Sequence, residues 1–252
     1  MAGDNSTLRY IVAYDQHVRS REVFLPAMER IRDQLEITNA ETCISLGAGN
    51  GITETEFFRR CMPNLREFSA VECDHDSCES LSRRMQDQLP NVRSEVFEGL
   101  AEKWPGPEQP VDVVTLFHML YYVRGAQRPE FYRKCFRDWL KPGGIALIVI
   151  DNDDSQFYRK VVKYLPANCG ARNPANGEVI RKELREQGYR IKLEQTFRVE
   201  IDVNDADTDD NFLGFFMRLS NCDMKTVLEA VRRAGAEVQQ HDECIIVVER
   251  AD

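Results

Sequence analysis

The chain has 252 residues, 42% of them hydrophobic and 30% charged, which is enough to build a packed core without disulfide or metal staples. No apolar run approaches the roughly 20 residues that span a bilayer, and Met1-Ala2-Gly3-Asp4-Asn5-Ser6 has neither the basic start nor the apolar stretch of a secretory signal, so membrane, fibrous and secreted classes are disfavoured and a cytoplasmic monomer is expected. The 33 basic and 42 acidic residues give a net charge of −9, which repels phosphate backbones, argues against nucleic acid as a partner and tolerates a cationic small molecule.

Residues 10–35 place Ile11, Tyr14, Val18, Phe24, Met28, Ile31 and Leu35 at helical spacing, with a break expected at Pro26. Residues 42–46 are a short apolar run ending in glycines and suit a buried strand. Residues 53–61 predict a helix, Pro63-Asn64 a turn, 68–71 a strand, 77–89 a helix, and 92–97 and 111–117 two further strands. Residues 129–140 predict an amphipathic helix stopped by Lys141-Pro142-Gly143-Gly144, followed by a fully apolar strand over 145–150. Helices are expected near 156–164 and 178–187, then a strand near 189–196 and an acidic, exposed loop from Glu200 to Asp210. Helices over 211–219 and 224–234 lead to a terminal apolar strand over 244–248, expected to pair into a sheet.

Strand–helix alternation predicts an α/β domain with a parallel sheet covered on both faces. The expected organisation is one domain over 1–252: a helical lid over 1–40, a ligand-binding core over 41–150, and substrate-side insertions with the last strands over 151–252. Eight cysteines include no Cys-x-x-Cys pair and are expected to be reduced and mostly buried.

The strongest local signal is Leu46-Gly47-Ala48-Gly49-Asn50-Gly51 between a strand and a helix. Glycines let the backbone turn sharply and approach a ligand, and the helix start offers free N–H groups. The run is neither a full Gly-x-Gly-x-x-Gly fingerprint nor a P-loop, and a tight turn without ligand also fits it. Glu72, ending the next strand, adds weight, because an acid there can accept hydrogen bonds from both hydroxyls of a ribose. The pair favours an adenosine-type ligand over a solvated turn acid.

The glycine run, Glu72, the 111–117 strand and Leu140-Lys141-Pro142-Gly143-Gly144 together resemble the class I S-adenosylmethionine-dependent methyltransferases over residues 42–150. The resemblance implies a Rossmann-like, seven-stranded, mostly parallel sheet with an antiparallel last strand, and S-adenosyl-L-methionine as cofactor. It places Gly47, Gly49 and Gly51 around the methionine part, Glu72 on the ribose, and the stretch from Phe97 to Leu100, with Gly99, near the adenine. Ser77 and Phe117 complete the expected cofactor set. Ser45 departs from the pattern, since many members carry there an acid that helps to hold the methionine amino group.

Phe117-His118-Met119-Leu120-Tyr121-Tyr122-Val123, the aromatic N-terminal segment and Ile245-Ile246-Val247-Val248-Glu249 are in addition similar to the histamine N-methyltransferase family. That similarity implies Glu22 as an N-terminal substrate-site acid, His118 in place of a glutamine, and His241 or Asp242 in place of an asparagine.

Methyl transfer from a sulfonium is an in-line displacement that needs the acceptor lone pair held about 3 Å from the methyl carbon. The leaving group is good, so no metal is expected. A neutral imidazole nitrogen is available at pH 7 because its pKa lies near 6.5. His118 follows the fourth strand, whose C-terminal end faces the ligand crevice; it either touches the acceptor and takes its proton, or is a structural histidine bonded to backbone. Glu22 either pairs with a substrate ammonium or is solvated. Tyr10, Tyr14, Tyr121 and Tyr122 are candidates for an acceptor pocket, as are Phe157, Tyr158, Phe215 and Phe216, half of these aromatics being expected in the core. An aromatic face attracts a cation by about 0.5–2 kcal/mol. The expected reaction is methylation of a nitrogen of a small amine or imidazole compound. A thiol, hydroxyl or carboxylate acceptor and a non-catalytic cofactor-binding scaffold are the alternatives, and an NAD-dependent dehydrogenase is a weaker one.

Overall fold

The computed structural model describes residues 8–154, 157–170, 175–202, 209–237 and 240–250. Two helices, α1 (Leu8–His17) and α2 (Ser20–Ile31), precede the first strand. The chain breaks between them at Val18 and Arg19, where Val18 bridges to Ile201, and not at Pro26, which lies inside α2. The alternation that follows is β1 (Thr42–Leu46), α3 (Ile52–Cys61), β2 (Glu67–Glu72), α4 (His75–Gln88), β3 (Arg93–Glu98), β4 (Val111–Phe117), α5 (Arg128–Arg133) and β5 (Leu140–Asp151). The remainder is α6 (Phe157–Tyr164), α7 (Gly177–Glu186), β6 (Arg190–Glu200), α8 (Asp210–Leu219), α9 (Met224–Glu237) and β7 (Gln240–Glu249).

All seven strands form one sheet in the order β3-β2-β1-β4-β5-β7-β6. Pairings from β3 across to β5 are parallel, and β7 runs antiparallel to both β5 and β6. The chain builds outward from β1 to β3 and then crosses back to β4, so the strand order reverses beside β1 and opens a crevice there. The expected terminal strand lies between two neighbours, which is why Ile245, Ile246, Val247 and Val248 are buried on both faces. Being antiparallel, β7 begins where β5 ends: Glu243 pairs with Asp151. Its polar start is thereby delivered to the crevice edge of the sheet.

The helix expected over 129–140 is shorter. After α5 comes a π-helical turn, Lys134–Asp138, and Leu140 already belongs to β5. Lys141-Pro142-Gly143-Gly144 is a bulge within the strand, where the register jumps from Val111↔Leu140 to Val113↔Ile145. The apolar Leu140 satisfies both a helical and a strand spacing, so periodicity could not place the boundary.

Helix α2 buries Phe24, Leu25, Ala27 and Met28 beside Phe57, Phe58 and Phe68 in one core cluster. The opposite face of the sheet is covered by Phe131, Tyr132, Phe136, Trp104 and Trp139. A third cluster joins α1, α6, α8 and α9 through Phe157, Phe212, Phe216 and Val227. Cys169 and Cys222 form a disulfide within that cap, which corrects the expectation of wholly reduced thiols. The partners are 53 residues apart in sequence, so only the tertiary packing of the turn after α6 against the segment before α9 brings them together. The other cysteines are free and, apart from exposed Cys73, buried. Among the described residues no helix is long and apolar enough to cross a membrane. Residues 203–208 of the expected acidic loop lie outside the described residues.

Candidate functional site

Where β1 ends, Gly47 adopts φ +68°, and a Cβ there would lie 2.7 Å from the Cβ of Met119, so no side chain fits between this turn and the exit of β4. The N–H of Gly49 donates to Glu72 Oε2 at 2.9 Å. Glu72 Oε1 accepts the N–H groups of Cys73 at 2.7 Å and Asp74 at 2.9 Å. One carboxylate thus ties the glycine turn to the end of β2 and keeps an acceptor position on Oε2. A Cβ on Gly49 would meet nothing within 4 Å, so the turn leaves a cradle at its crest. Gly99 donates its N–H to the Glu72 carbonyl at 2.8 Å. Beside it, Phe97 and Leu100 are 38% and 43% exposed and give the rim an apolar face. Cradle, carboxylate and apolar rim fit the methionine, ribose and adenine parts of S-adenosyl-L-methionine.

Ser77 and Phe117 face inward. Ser77 is buried and donates its N–H and hydroxyl to Asp74 Oδ2, capping α4. The Phe117 ring packs between Phe24 and Phe57, with centroids 5.3 and 5.4 Å away. Ser45, at the position where an acid was missing, donates to Glu54 Oε1 at 3.1 Å. Glu54 is buried on α3 directly after the glycine turn. Burial pushes its carboxyl up to about 8, with Glu72 and Asp15 adding to the effect and Ser45 opposing it.

A second group of side chains meets where β4, β5 and β7 reach the crevice. His118, directly after β4, holds φ +52°, a strained value for a residue with a Cβ. Its Nε2 lies 3.0 Å from Ser20 Oγ, and its Nδ1 3.0 Å from the Tyr121 hydroxyl. Ser20, the first residue of α2, donates to Glu243 Oε2 at 2.5 Å. The Tyr121 hydroxyl accepts the Asp151 N–H at 3.1 Å. His241 Nε2 sits 3.0 Å from Glu243 Oε1 and 3.3 Å from Asp151 Oδ1. Burial alone would lower the His241 pKa, but hydrogen bonds to Asp151 and Glu243 and their charges push it up to about 10. His241 is therefore the imidazolium partner of two buried carboxylates. Donor atoms of these three residues lie within 4.8 Å of one another.

The other expected residues are dispersed. Glu22 is exposed, 4.0 Å from Arg19, on a cleft of ≈ 370 Å³ that it shares with Asp15, Arg21, Glu56 and Arg60. The residue of α2 that reaches His118 is Ser20, half-buried and two positions earlier. Tyr10 packs on Gly214 of α8, with the guanidinium of Arg218 over its ring. Tyr14 stacks on Phe215 at 4.2 Å. Phe157 and Phe216 are fully buried in the cap, and Tyr158 nearly so. Tyr121 is half-buried beside His118, and Tyr122 is exposed. Asp242 turns away and pairs with Arg198 at 2.9 Å.

Sequence reasoning missed Ser20, Asp151 and Glu243. The available signal was the triplet His241-Asp242-Glu243, a His-x-Glu pattern whose outer members share one face of a strand. Asp15 was also missed. It is exposed and lines the cleft on α1.

Residues 44–144 match the family model described as a methyltransferase domain. No curated protein matches the chain in sequence. Among solved structures, a candidate methyltransferase from Bacillus halodurans superposes with a TM-score of 0.64 at 14% identity, covering 88% of this chain and 98% of that one. A candidate sarcosine dimethylglycine methyltransferase from Galdieria sulphuraria gives 0.58 at 12% identity, over 93% and 86% of the two chains. The N-methyltransferase NodS from Bradyrhizobium japonicum, solved with S-adenosyl-L-homocysteine, gives 0.55 at 8% identity, over 90% and 87%. Identities this low speak for the sheet and its order, while the domain match falls on the stretch that carries the glycine turn, Glu72 and His118. Over residues 44–144 the chain matches a methyltransferase domain, and its seven-stranded sheet has the fold of the solved methyltransferases.

Proposed function

We propose that this chain is a class I S-adenosylmethionine-dependent methyltransferase that acts on a nitrogen of a small amine or imidazole compound of the histamine type. The observation that carries the reading is the polar cluster of Ser20, His118, Tyr121, Asp151, His241 and Glu243, which holds two buried carboxylates against one imidazolium and opens to the crevice through His118, 32% exposed. Such a site favours an acceptor that brings an N–H or a positive charge.

The cofactor, when bound, supplies an electrophilic methyl group on a sulfonium, with a neutral sulfide as leaving group. In this reading the backbone of Gly47, Gly49 and Gly51 cradles its methionine part and Glu72 holds the ribose. Gly99 brings the adenine against Phe97 and Leu100, while Ser77 and Phe117 fix the crevice walls from behind. His118 contacts the acceptor, with Tyr121 and Tyr122 as pocket walls. Glu22 and Asp15 draw a cation into the mouth. Tyr10 and Tyr14 anchor the lid helix α1 on the cap, and His241 acts through Glu243. Residues 1–40 are the lid, 41–150 the cofactor core and 151–252 the acceptor side.

The test is titration calorimetry with S-adenosyl-L-methionine and S-adenosyl-L-homocysteine, followed by mass-spectrometric screening of amines and imidazoles beside thiols, alcohols and carboxylates. N-methylated products are expected. Turnover confined to sulfur or oxygen acceptors would overturn the nitrogen assignment.

A further inference from the structure

We propose that Glu54 reads the charge of the cofactor from behind the glycine turn. It holds a proton in the free chain and beside S-adenosyl-L-homocysteine, and releases it when S-adenosyl-L-methionine binds. The proposal rests on the S-adenosylmethionine reading above and extends it to how the site tells its methyl donor from the spent product.

The first argument is place. Ser45 precedes the glycine turn, Glu54 follows it, and the two side chains meet behind it, with Ser45 Oγ donating to Glu54 Oε1 at 3.1 Å. Thr55 Oγ1 donates to the Gly51 carbonyl at 2.8 Å and pins the first turn of α3 to the glycines. Ser45 and Glu54 are both buried, so little water screens this carboxyl from a charge lying across the turn. In the proposed pose the methionine part of the cofactor, with its sulfonium, lies there.

The second argument is the missing counterion. Among the described residues Glu54 forms no ion pair; the groups that act on it are its own N–H, the Ser45 hydroxyl, and the acids Glu72 and Asp15. A buried carboxyl without a cation favours its neutral form, in keeping with the value near 8 to which burial pushes this one. Such a group holds its proton at neutral pH and sits close enough to the crossing point for one positive charge to ionise it.

The third argument is the difference between the two ligands. Both carry an ammonium and a carboxylate, and only S-adenosyl-L-methionine adds a sulfonium. Methyl transfer leaves a neutral sulfide, so the attraction that keeps Glu54 ionised ends with the reaction. The proton balance follows. The Glu54 O–H proton goes to water on binding while its bonding pair stays on oxygen, and a proton from water returns to that oxygen after transfer. An ionised Glu54 favours the donor, and the product lacks that attraction, which eases exchange of one for the other.

The neighbours of this carboxyl agree with that role. Strand β1 places Ser45 and the Cys43 thiol near it, β2 brings Glu72 and α1 brings Asp15. Strand β4 sets Thr115 in register beside Ser45. On α4, the Arg84 guanidinium is engaged with the Asn50 carbonyl at 3.2 Å. On α2, Glu29 and Arg32 gather around Arg60, at the other end of α3. Glu72 and Asp15 favour the neutral acid, and these cations are engaged elsewhere.

Titration calorimetry near pH 7, in two buffers of different ionisation enthalpy, counts the protons exchanged on binding and needs no turnover. S-adenosyl-L-methionine is expected to release protons that S-adenosyl-L-homocysteine does not, and Glu54→Gln, which keeps a neutral side chain, to abolish the difference. Between about pH 6 and 8 the preference of the wild type for S-adenosyl-L-methionine should rise roughly 10-fold, while that of Glu54→Gln stays level. If the variant does not fold, the proton count of the wild type decides alone. Equal proton balances for the two ligands, or a preference that climbs as steeply in Glu54→Gln as in the wild type, would overturn the proposal and leave the S-adenosylmethionine reading standing. A chain that binds neither compound would overturn both.

Discussion

The N–H of Gly49 donates to Glu72 Oε2 at 2.9 Å, so the crest of the glycine turn and the end of β2 are held by one carboxylate. That carboxylate also accepts the N–H groups of Cys73 and Asp74. Glu72→Ala leaves these three donors without their acceptor and removes the proposed ribose contact. Loss of a charged hydrogen-bond partner costs about 1.5–3 kcal/mol, so the affinity for S-adenosyl-L-homocysteine should fall roughly 10- to 100-fold. Calorimetry reads this directly, and an unchanged dissociation constant would remove Glu72 from the cofactor site.

Glu54 makes stability depend on pH in an unusual direction for a carboxylate. Its folded value near 8 lies above the ordinary 4.5, so the native state holds a proton that the unfolded chain has released between those limits. Stability is therefore full below about 4.5 and declines as pH rises toward 8, by up to about 5 kcal/mol at 1.36 kcal/mol per unit. Glu54→Gln keeps a neutral side chain and should flatten the curve. Urea denaturation of both proteins at mildly acidic and mildly alkaline pH measures it; parallel curves would show that Glu54 is not protonated in the fold.

The strands and the glycine turn were legible because their signals are local: apolar runs of strand length, then glycines, then an acid at the next strand end. The polar cluster was not. Ser20, His118, Asp151 and Glu243 come from α2 and the ends of three strands, and only the antiparallel insertion of β7 between β5 and β6 puts the start of β7 beside the end of β5. No sequence spacing encodes that meeting. Pro26 was misread for the opposite reason, a strong local breaker overridden by the burial of Phe24, Leu25 and Met28 around it. The missing acid at Ser45 illustrates a third case, since a carboxylate is present but arrives from α3.

The Cys169–Cys222 link closes a long loop around the cap. Crosslinks of this kind typically contribute about 2–4 kcal/mol. Cys222→Ser should lower stability by that order and loosen α6, α8 and α9 more than the sheet, because the third core cluster is separate from the two that cover the strands. Hydrogen exchange resolved by segment distinguishes this from a uniform loss. Equal protection in the variant and the wild type would indicate that the cap packs without the link.

His241 holds two carboxylates together, and its removal tests that arrangement most sharply. Its folded value near 10 lies above the ordinary 6.5, so the stabilisation is complete below about 6.5 and is lost as pH rises through 10. His241→Asn leaves Asp151 and Glu243 buried without their cation, a change that costs about 3–5 kcal/mol in comparable buried pairs. Adding Glu243→Gln removes one of the stranded charges, so the double variant should be more stable than His241→Asn alone, and the coupling in the cycle should exceed about 1 kcal/mol. The same cycle repeated above pH 10 should show the coupling vanish, since the imidazole is neutral there in every protein that retains it. Additive single effects at neutral pH would mean that His241 and Glu243 are not coupled in the fold.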